Sequence, residues 1–446
     1  MPPDVPHVLL VNPWIHDFAA YDFWARPLGL LGIAGRLRAG GLRVSWVDCL
    51  DRFHPRLPSR LPRKADGRGA FLRTPLPTPA LFPDVPRRFA RYGIEPAWFH
   101  EALVALPRPD LVLVGSGMTY WYPGVQETIR RLRAVFPGVP VWLGGIYATL
   151  CFDHAARRSG ADRVFPGPAE GLLYRAIEAL TGFPLAGKAD GDDPDAAPLP
   201  AFDLERHIPA VALRTSRGCP FACAYCAARI LEPGRSLRSP RSVISEIRRW
   251  HRGFGVTDFV LYDDAFLASP EGHGPAVLEA IAAAGLPVRL HTPNALHARG
   301  ITRETARQLR RAGFVTVRLG VETADFARRG GLDRKLDAAE FHRAARSLRE
   351  AGYRPPEAGA YLLAGLPGER EEDLVTSIEV VKEAGLLPVI AWYSPIPGTA
   401  LWPQACAASR YDLASDPLFT NNAVMPCRRG PFDWGRITRL KSLLHA

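Results

Sequence analysis

No hydrophobic run in the sequence approaches the ~18 residues that a bilayer-spanning helix needs, so a membrane association is not expected. The opening residues, Met1-Pro-Pro-Asp-Val-Pro6, lack the charged region, long apolar stretch and small-residue cleavage site of a secretory signal. The expected location is cytoplasmic. Cysteine is scarce, with seven in 446 residues: Cys49, Cys151, Cys219, Cys223, Cys226, Cys406 and Cys427. An odd number with one tight cluster argues against a disulfide framework and for a reduced compartment. Internal repeats are missing. The net charge of +11 lacks a focus, being spread along the chain with much of it as arginine on amphipathic helices, such as Arg130, Arg131 and Arg133. That is the pattern of a solvated surface, and nucleic acid is not an expected partner.

What is present is a chain too long for one core, with the 47% hydrophobic and 23% charged content of a globular protein. Its pattern is α/β. Residues 1–181 alternate strands (7–11, 42–47, 111–114, 139–143, 163–165) with helices (28–39, 125–135, 151–158, 169–180), which predicts a doubly wound parallel sheet. Residues 51–98, rich in Pro and Arg, interrupt it as an irregular insertion. Residues 182–205, rich in Gly, Asp, Pro and Ala, read as a linker. A second alternating series follows over 206–400, with strands at 211–214, 258–262, 288–291, 315–319, 358–363 and 388–392. Six strands with crossover helices fit a partial (β/α)6 barrel, although spacing alone also permits another open sheet. Residues 401–446 form a C-terminal extension with one helix near 436–444.

The cysteine cluster lies directly after the first strand of the second series, in Arg214-Thr-Ser-Arg-Gly-Cys219-Pro-Phe-Ala-Cys223-Ala-Tyr-Cys226. Three thiolates within eight residues can supply three ligands to a [4Fe–4S] cluster and leave the fourth iron open to another molecule. Gly218 and Pro220 suit a tight loop with free backbone N–H groups to donate to sulfur. The alternatives are a zinc site or cysteines that fill a core. Structural zinc wants four ligands, and no fourth Cys or His lies nearby at a usual spacing.

The arrangement Cys-x3-Cys-x-Tyr-Cys resembles the radical S-adenosylmethionine superfamily. The resemblance implies that Cys219, Cys223 and Cys226 hold the cluster and that the amino and carboxylate groups of S-adenosylmethionine chelate the open iron. One electron then cleaves the sulfonium bond to methionine and a 5′-deoxyadenosyl radical, in a barrel that excludes water. It further implies a set of cofactor-binding residues at the strand ends, where a parallel barrel builds its site. Tyr225 lies near the adenine. Asp263 and Asp264, in place of the frequent Gly-Gly-Glu, offer a carboxylate to the cofactor's amino group; a helix cap or solvated loop pair is the plainer reading. Asn294 contacts ribose or carboxylate and Glu322 the ribose, against a satisfied structural role for each. Gly365, in Gly365-Leu-Pro-Gly368-Glu369, lets backbone approach the adenine, with Glu369 favouring the next helix N-terminus. Ser394-Pro-Ile-Pro-Gly-Thr399 fits the family after its sixth strand.

Residues 7–181 resemble the cobalamin-binding domain of one branch of this superfamily. The likeness rests on Asn12-Pro13, Pro27-Leu-Gly-Leu30, Gly41-Leu-Arg-Val44 with Asp48, Gly144-Gly145 and Gly160-Ala-Asp-Arg-Val-Phe-Pro-Gly167. The Asp-x-His-x-x-Gly motif that gives cobalt a lower histidine is absent. His16, in Trp14-Ile-His-Asp17, reads as a loop histidine, and Met118–Pro123 either flanks a corrin or packs against the barrel. The leading expectation is a cobalamin-dependent radical methyltransferase acting on an unactivated carbon or phosphorus centre. A cobalamin-independent radical enzyme (rearrangement, cyclisation or carbon–sulfur chemistry) comes second, and an iron–sulfur module without turnover last. A reductant such as flavodoxin or ferredoxin is an expected partner. The acceptor substrate and oligomeric state are not legible. Cys427, in Met425-Pro-Cys-Arg-Arg429, is either an extra ligand or catalytic thiol or, the plainer reading, an ordinary buried cysteine, as Cys49, Cys151 and Cys406 are.

Overall fold

Short runs of consecutive apolar residues form strands that are buried on both faces, as parallel sheets covered by helices require. The computed structural model describes residues 5–168, 170–185, 193–268, 272–326, 329–430 and 433–445. It divides into one unit of residues 1–209 with 415–418 and another of 210–414 with 419–446. Among the described residues, no helix is long and apolar enough to cross a membrane.

In the first unit, β1 (His7–Asn12), β2 (Arg43–Asp48), β3 (Leu111–Val114), β4 (Val141–Gly144) and β5 (Arg163–Phe165) make a parallel sheet in the order β2-β1-β3-β4-β5. The order reverses between β1 and β3, which opens a crevice beyond their carboxyl ends. Helix α1 (Leu28–Ala39) lays Leu30, Ala34 and Leu37 against Val8, Leu10 and Leu111 of the sheet. Helix α2 (Tyr122–Val135) buries Val125, Ile129 and Leu132 at helical spacing.

Two segments differ from their sequence reading. The insertion at 51–98 is not wholly irregular: Arg73–Pro75 and Ala90–Tyr92 join Ile15–Asp17 in a small antiparallel sheet. Phe71, Ala90 and Tyr92 gather with Ile15 in a core of their own. The second difference concerns the linker. Residues 186–192 lie outside the described residues, but its C-terminal part packs on α1. Ala201 N–H donates to Leu31 O at 2.9 Å, and Arg38 grips Asp203 with two bonds of 2.7 and 2.8 Å. Gly35 permits the approach, since a Cβ there would strike the Leu199 carbonyl. Periodicity cannot reveal such packing, because the segment has no regular structure of its own.

The second unit contains β6 (Val211–Leu213), β7 (Asp258–Leu261), β8 (Arg289–His291), β9 (Phe314–Glu322), β10 (Ala358–Ala364) and β11 (Leu387–Trp392). They are parallel and paired strictly in chain order. Sequential parallel pairing is the topology of a partial barrel and differs from the reversing order of the first unit. The crossover helices carry strong end signals. In α3 (Pro240–Phe254), Ser239 accepts from Ser242 N–H, Pro240 opens the first turn and Gly255 closes the helix in the left-handed region. In α4 (Ala338–Glu350), Asp337 and Glu340 form a reciprocal capping box. The terminal helix spans Trp434–His445.

Candidate functional site

The loop that follows β6 carries all three clustered cysteines, and backbone bonds fix it from both sides. Ala224 N–H donates to Leu332 O at 2.8 Å, and Leu401 N–H donates to Ala224 O at 2.8 Å. Gly218, at φ +73, turns the chain so tightly that a Cβ would meet the Gly234 carbonyl. Cys226 Sγ accepts Ala228 N–H at 3.4 Å. All seven cysteines are free thiols. Burial raises the Cys223 thiol to about 11, with Lys335 and Asp333 as its charged neighbours. Phe221, inside the loop, stacks on His297 with centroids 4.2 Å apart. Burial and then Lys335 lower His297 to about 3, so this imidazole is neutral across the physiological range.

The three thiols share one short loop. Among the described residues, no three His, Cys, Asp or Glu side chains gather as ligands of a single metal ion would. Thiolates on a cubane would bind separate irons, and the loop adds a backbone donor to sulfur.

The structure separates the residues that sequence grouped together. Asp263, at the end of β7, is fully engaged. It accepts Thr215 N–H at 3.0 Å, Thr215 Oγ1–H at 2.6 Å and Ser216 Oγ–H at 2.5 Å. It is buried and secures the start of the cysteine loop, with three acceptor positions taken. Asp264 is exposed, with Asp263, Glu232 and Arg214 as charged neighbours, and is the carboxylate of the pair open to a ligand. Asn294 is exposed, and its side-chain amide donates to Tyr262 O at 3.0 Å.

Tyr225 and Glu322 meet in a buried ionic network that sequence reading missed. Lys335 Nζ donates to Tyr225 OH at 2.9 Å and to Glu322 Oε1 at 2.8 Å. Arg329 donates to the other Glu322 oxygen at 3.3 Å and grips Asp333 at 2.8 and 3.1 Å. Glu322, Arg329, Asp333 and Lys335 are all buried. Glu322 stands at φ +58, a left-handed conformation unusual for its type, held by these partners. Burial disfavours the Lys335 charge, but Glu322 outweighs it and holds the ammonium above its usual pKa. Burial and the Glu322 carboxylate push the Tyr225 hydroxyl far up, so it remains a neutral phenol. The available signal was the run Arg329-x3-Asp333-x-Lys335 just past Glu322, in which (i, i+4) spacing brings opposite charges together.

Gly365, after β10, adopts φ +87 and has open space where a Cβ would stand. Its N–H donates to Glu369 Oε2 at 2.7 Å, and Arg436 reaches the same oxygen at 3.3 Å. Glu369 thus folds back on the loop instead of serving the following helix, and burial raises it to about 7. A cavity of about 540 Å³ opens here, lined by Gly365, Glu369, Trp392, Cys427, Arg428 and Arg436. A second, of about 250 Å³, is lined by Glu322, Leu366 and Leu401 among others. Both lie at the carboxyl ends of strands, where parallel barrels bind ligands. Cys427 lines the larger one.

In the first unit, the carboxyl edge presents Gly115, Ser116, Gly117, Gly144 and Gly145. Ser116 Oγ–H donates to Gly144 O at 2.6 Å, joining the ends of β3 and β4. His16 is not a loop histidine. It sits on the strand Ile15–Asp17, buried, with Nε2 3.0 Å from Glu127 Oε2. The aromatic stretch is likewise engaged within this unit: Trp121 Nε1–H donates to Asp17 at 2.7 Å and Tyr122 OH to Asp416 at 3.0 Å. The edge is small and backbone-rich, which suits a large ligand, and the imidazole after β1 is committed to a carboxylate. These residues fit a cobalamin held without a histidine from that loop.

Comparison with known proteins agrees with this geometry. Residues 213–381 match the family model of the radical SAM superfamily. An uncharacterized methyltransferase of Pyrococcus horikoshii is 25% identical over 344 residues, covering 70% of this chain and 72% of the relative. The hopanoid C-3 methylase of Methylococcus capsulatus is 29% identical over 384 residues, covering 76% of this chain and 69% of the relative. Among solved structures, the radical S-adenosylmethionine methyltransferase TsrM of Kitasatospora setae, with cobalamin and a [4Fe–4S] cluster bound, superposes with a TM-score of 0.66. Its identity is 17%, covering 91% of this chain and 76% of that one. Residues 213–381 therefore match the radical S-adenosylmethionine superfamily, and the chain shares the fold of TsrM.

Proposed function

We propose that this enzyme is a cobalamin-dependent radical methyltransferase. Cys219, Cys223 and Cys226 hold a [4Fe–4S] cluster, S-adenosylmethionine occupies the open iron, and the first unit carries cobalamin. When bound, these groups supply a 5′-deoxyadenosyl radical and a transferable methyl group. The protein's part is to orient and to exclude water. The rigid loop after β6 fixes the thiolates, Asp264 is open to the cofactor's amino group, and Gly365 gives backbone access beside a cavity. The observation that carries the reading is the cysteine loop itself, pinned at the carboxyl end of β6 with Tyr225 tied to Lys335 and Glu322. The names of the methyltransferase and methylase relatives support methyl transfer, to an unactivated carbon or phosphorus centre. A low-potential donor such as flavodoxin or ferredoxin would supply the electron, in the cytoplasm.

The test is anaerobic purification from cells supplied with cobalamin, followed by metal analysis. About four irons and about one cobalt per chain support the reading. Iron without cobalt leaves a radical enzyme and moves it to the cobalamin-independent class.

A further inference from the structure

Lysine is the rare cation of this protein: 51 of its 56 cationic side chains are arginine and only five are lysine. One of the five, Lys335, is buried beside the cysteine loop. Its Nζ lies 2.9 Å from the hydroxyl of Tyr225, which stands between Cys223 and Cys226, and 5.6 Å from the centre of that ring. Its carboxylate partner, Glu322, accepts from the same Nζ at 2.8 Å and also neighbours the Tyr225 hydroxyl. The other anion near Tyr225 is Asp333, at 3.5 Å, and both of its oxygens are held by Arg329. The cation that hydrogen-bonds the loop is thus a compact, non-delocalised ammonium.

We propose that Lys335 sets the reduction potential of the iron–sulfur cluster, acting as a fixed positive charge fastened to the cysteine loop through Tyr225. The inference rests on the cluster assignment made above. A [4Fe–4S]2+ core with three thiolates carries a net charge of −1, and one electron from a low-potential donor takes it to −2. A buried cation stabilises the more negative state more than the less negative one. Water does not screen it, because Lys335 is only 8% exposed. Glu322 opposes the effect with its own charge. The two residues thus form a lever whose ends move the potential in opposite directions.

The experiment is an anaerobic dithionite titration, followed by electron paramagnetic resonance, of the reconstituted full-length protein without S-adenosylmethionine. Lys335→Gln is expected to make reduction about tenfold less favourable, a shift of ~59 mV to lower potential for one electron. Lys335→Arg, which keeps the charge, is expected to stay near the wild-type value, and Glu322→Gln to move it upward. A cluster-loaded Lys335→Gln protein with the wild-type potential would overturn the proposal. Should that variant fail to fold, Glu322→Gln decides, and an unchanged potential there overturns it equally. Failure of the wild-type protein to take up any cluster is a different result and counts against the cluster assignment itself.

Discussion

Thr215 donates both its backbone N–H and its hydroxyl to Asp263, at 3.0 and 2.6 Å, so that the end of β7 clamps the end of β6 where the cysteine loop begins. The neighbouring carboxylate, Asp264, is exposed. Two adjacent aspartates thus have separate tasks, and substitution should separate them. Asp263→Asn, which weakens charge-assisted bonds in a buried place, is expected to cost about 2 kcal/mol of stability. Asp264→Asn should alter stability by no more than about 0.5 kcal/mol while weakening S-adenosylmethionine binding about tenfold, the worth of one charged hydrogen bond. Thermal unfolding and equilibrium binding to the loaded protein measure the two effects. Loss of binding in both variants without loss of stability in either would refute the division.

Replacing Cys219, Cys223 or Cys226 with Ala should abolish the cluster, because each removes one of three anchors from a loop that has no spare thiol. Cys406→Ala should leave iron content intact. Iron and sulfide analysis after identical reconstitution checks this, and normal loading in any of the three loop variants would contradict the assignment.

Asp258, on β7, accepts two bonds from Arg289 at 2.8 and 2.6 Å and stands 2.9 Å from His291. Burial opposes its ionisation, but the bonds from His291 and Arg289 prevail and hold it at about 2. The unfolded chain binds this proton near pH ~4, so the folded state binds fewer protons between these values. Its stabilising contribution is therefore complete above about pH 4 and is lost as pH falls toward 2. Urea unfolding of wild type and Asp258→Asn should show a gap at pH 7 that narrows at pH 3. A gap independent of pH would contradict the pairing.

Gly35→Ala places a methyl group against the Leu199 carbonyl, where the supposed linker crosses α1. Overpacking of this kind costs about 1–3 kcal/mol, and a lowered melting temperature is expected. Gly29→Ala, on the same helix with open space at its Cβ, serves as the comparison and should not destabilise.

The strands of both units were legible because apolar runs of four to eight residues between turn signals are the mark of covered parallel sheets. The cysteine loop was legible because three thiols in eight residues have few other uses. Lys335 was not. Its neighbours Tyr225 and Glu322 are 110 and 13 residues away, and only the return of the chain after β9 brings them within hydrogen-bonding distance. The bonds of Asp263 were not legible either. Its sequence position matches a ligand-facing strand end, but the hydroxyls that consume it belong to Thr215 and Ser216, on a different strand end. His16 likewise took its place from pairing with Tyr92-side residues of a segment that sequence showed only as irregular.

The central claim is that this chain cleaves S-adenosylmethionine at a cluster held by Cys219, Cys223 and Cys226. The most direct measurement incubates the anaerobically reconstituted protein with S-adenosylmethionine and dithionite and assays 5′-deoxyadenosine. The account predicts its formation by the wild-type protein and none by Cys223→Ala. No 5′-deoxyadenosine from a wild-type protein carrying about four irons per chain would contradict it.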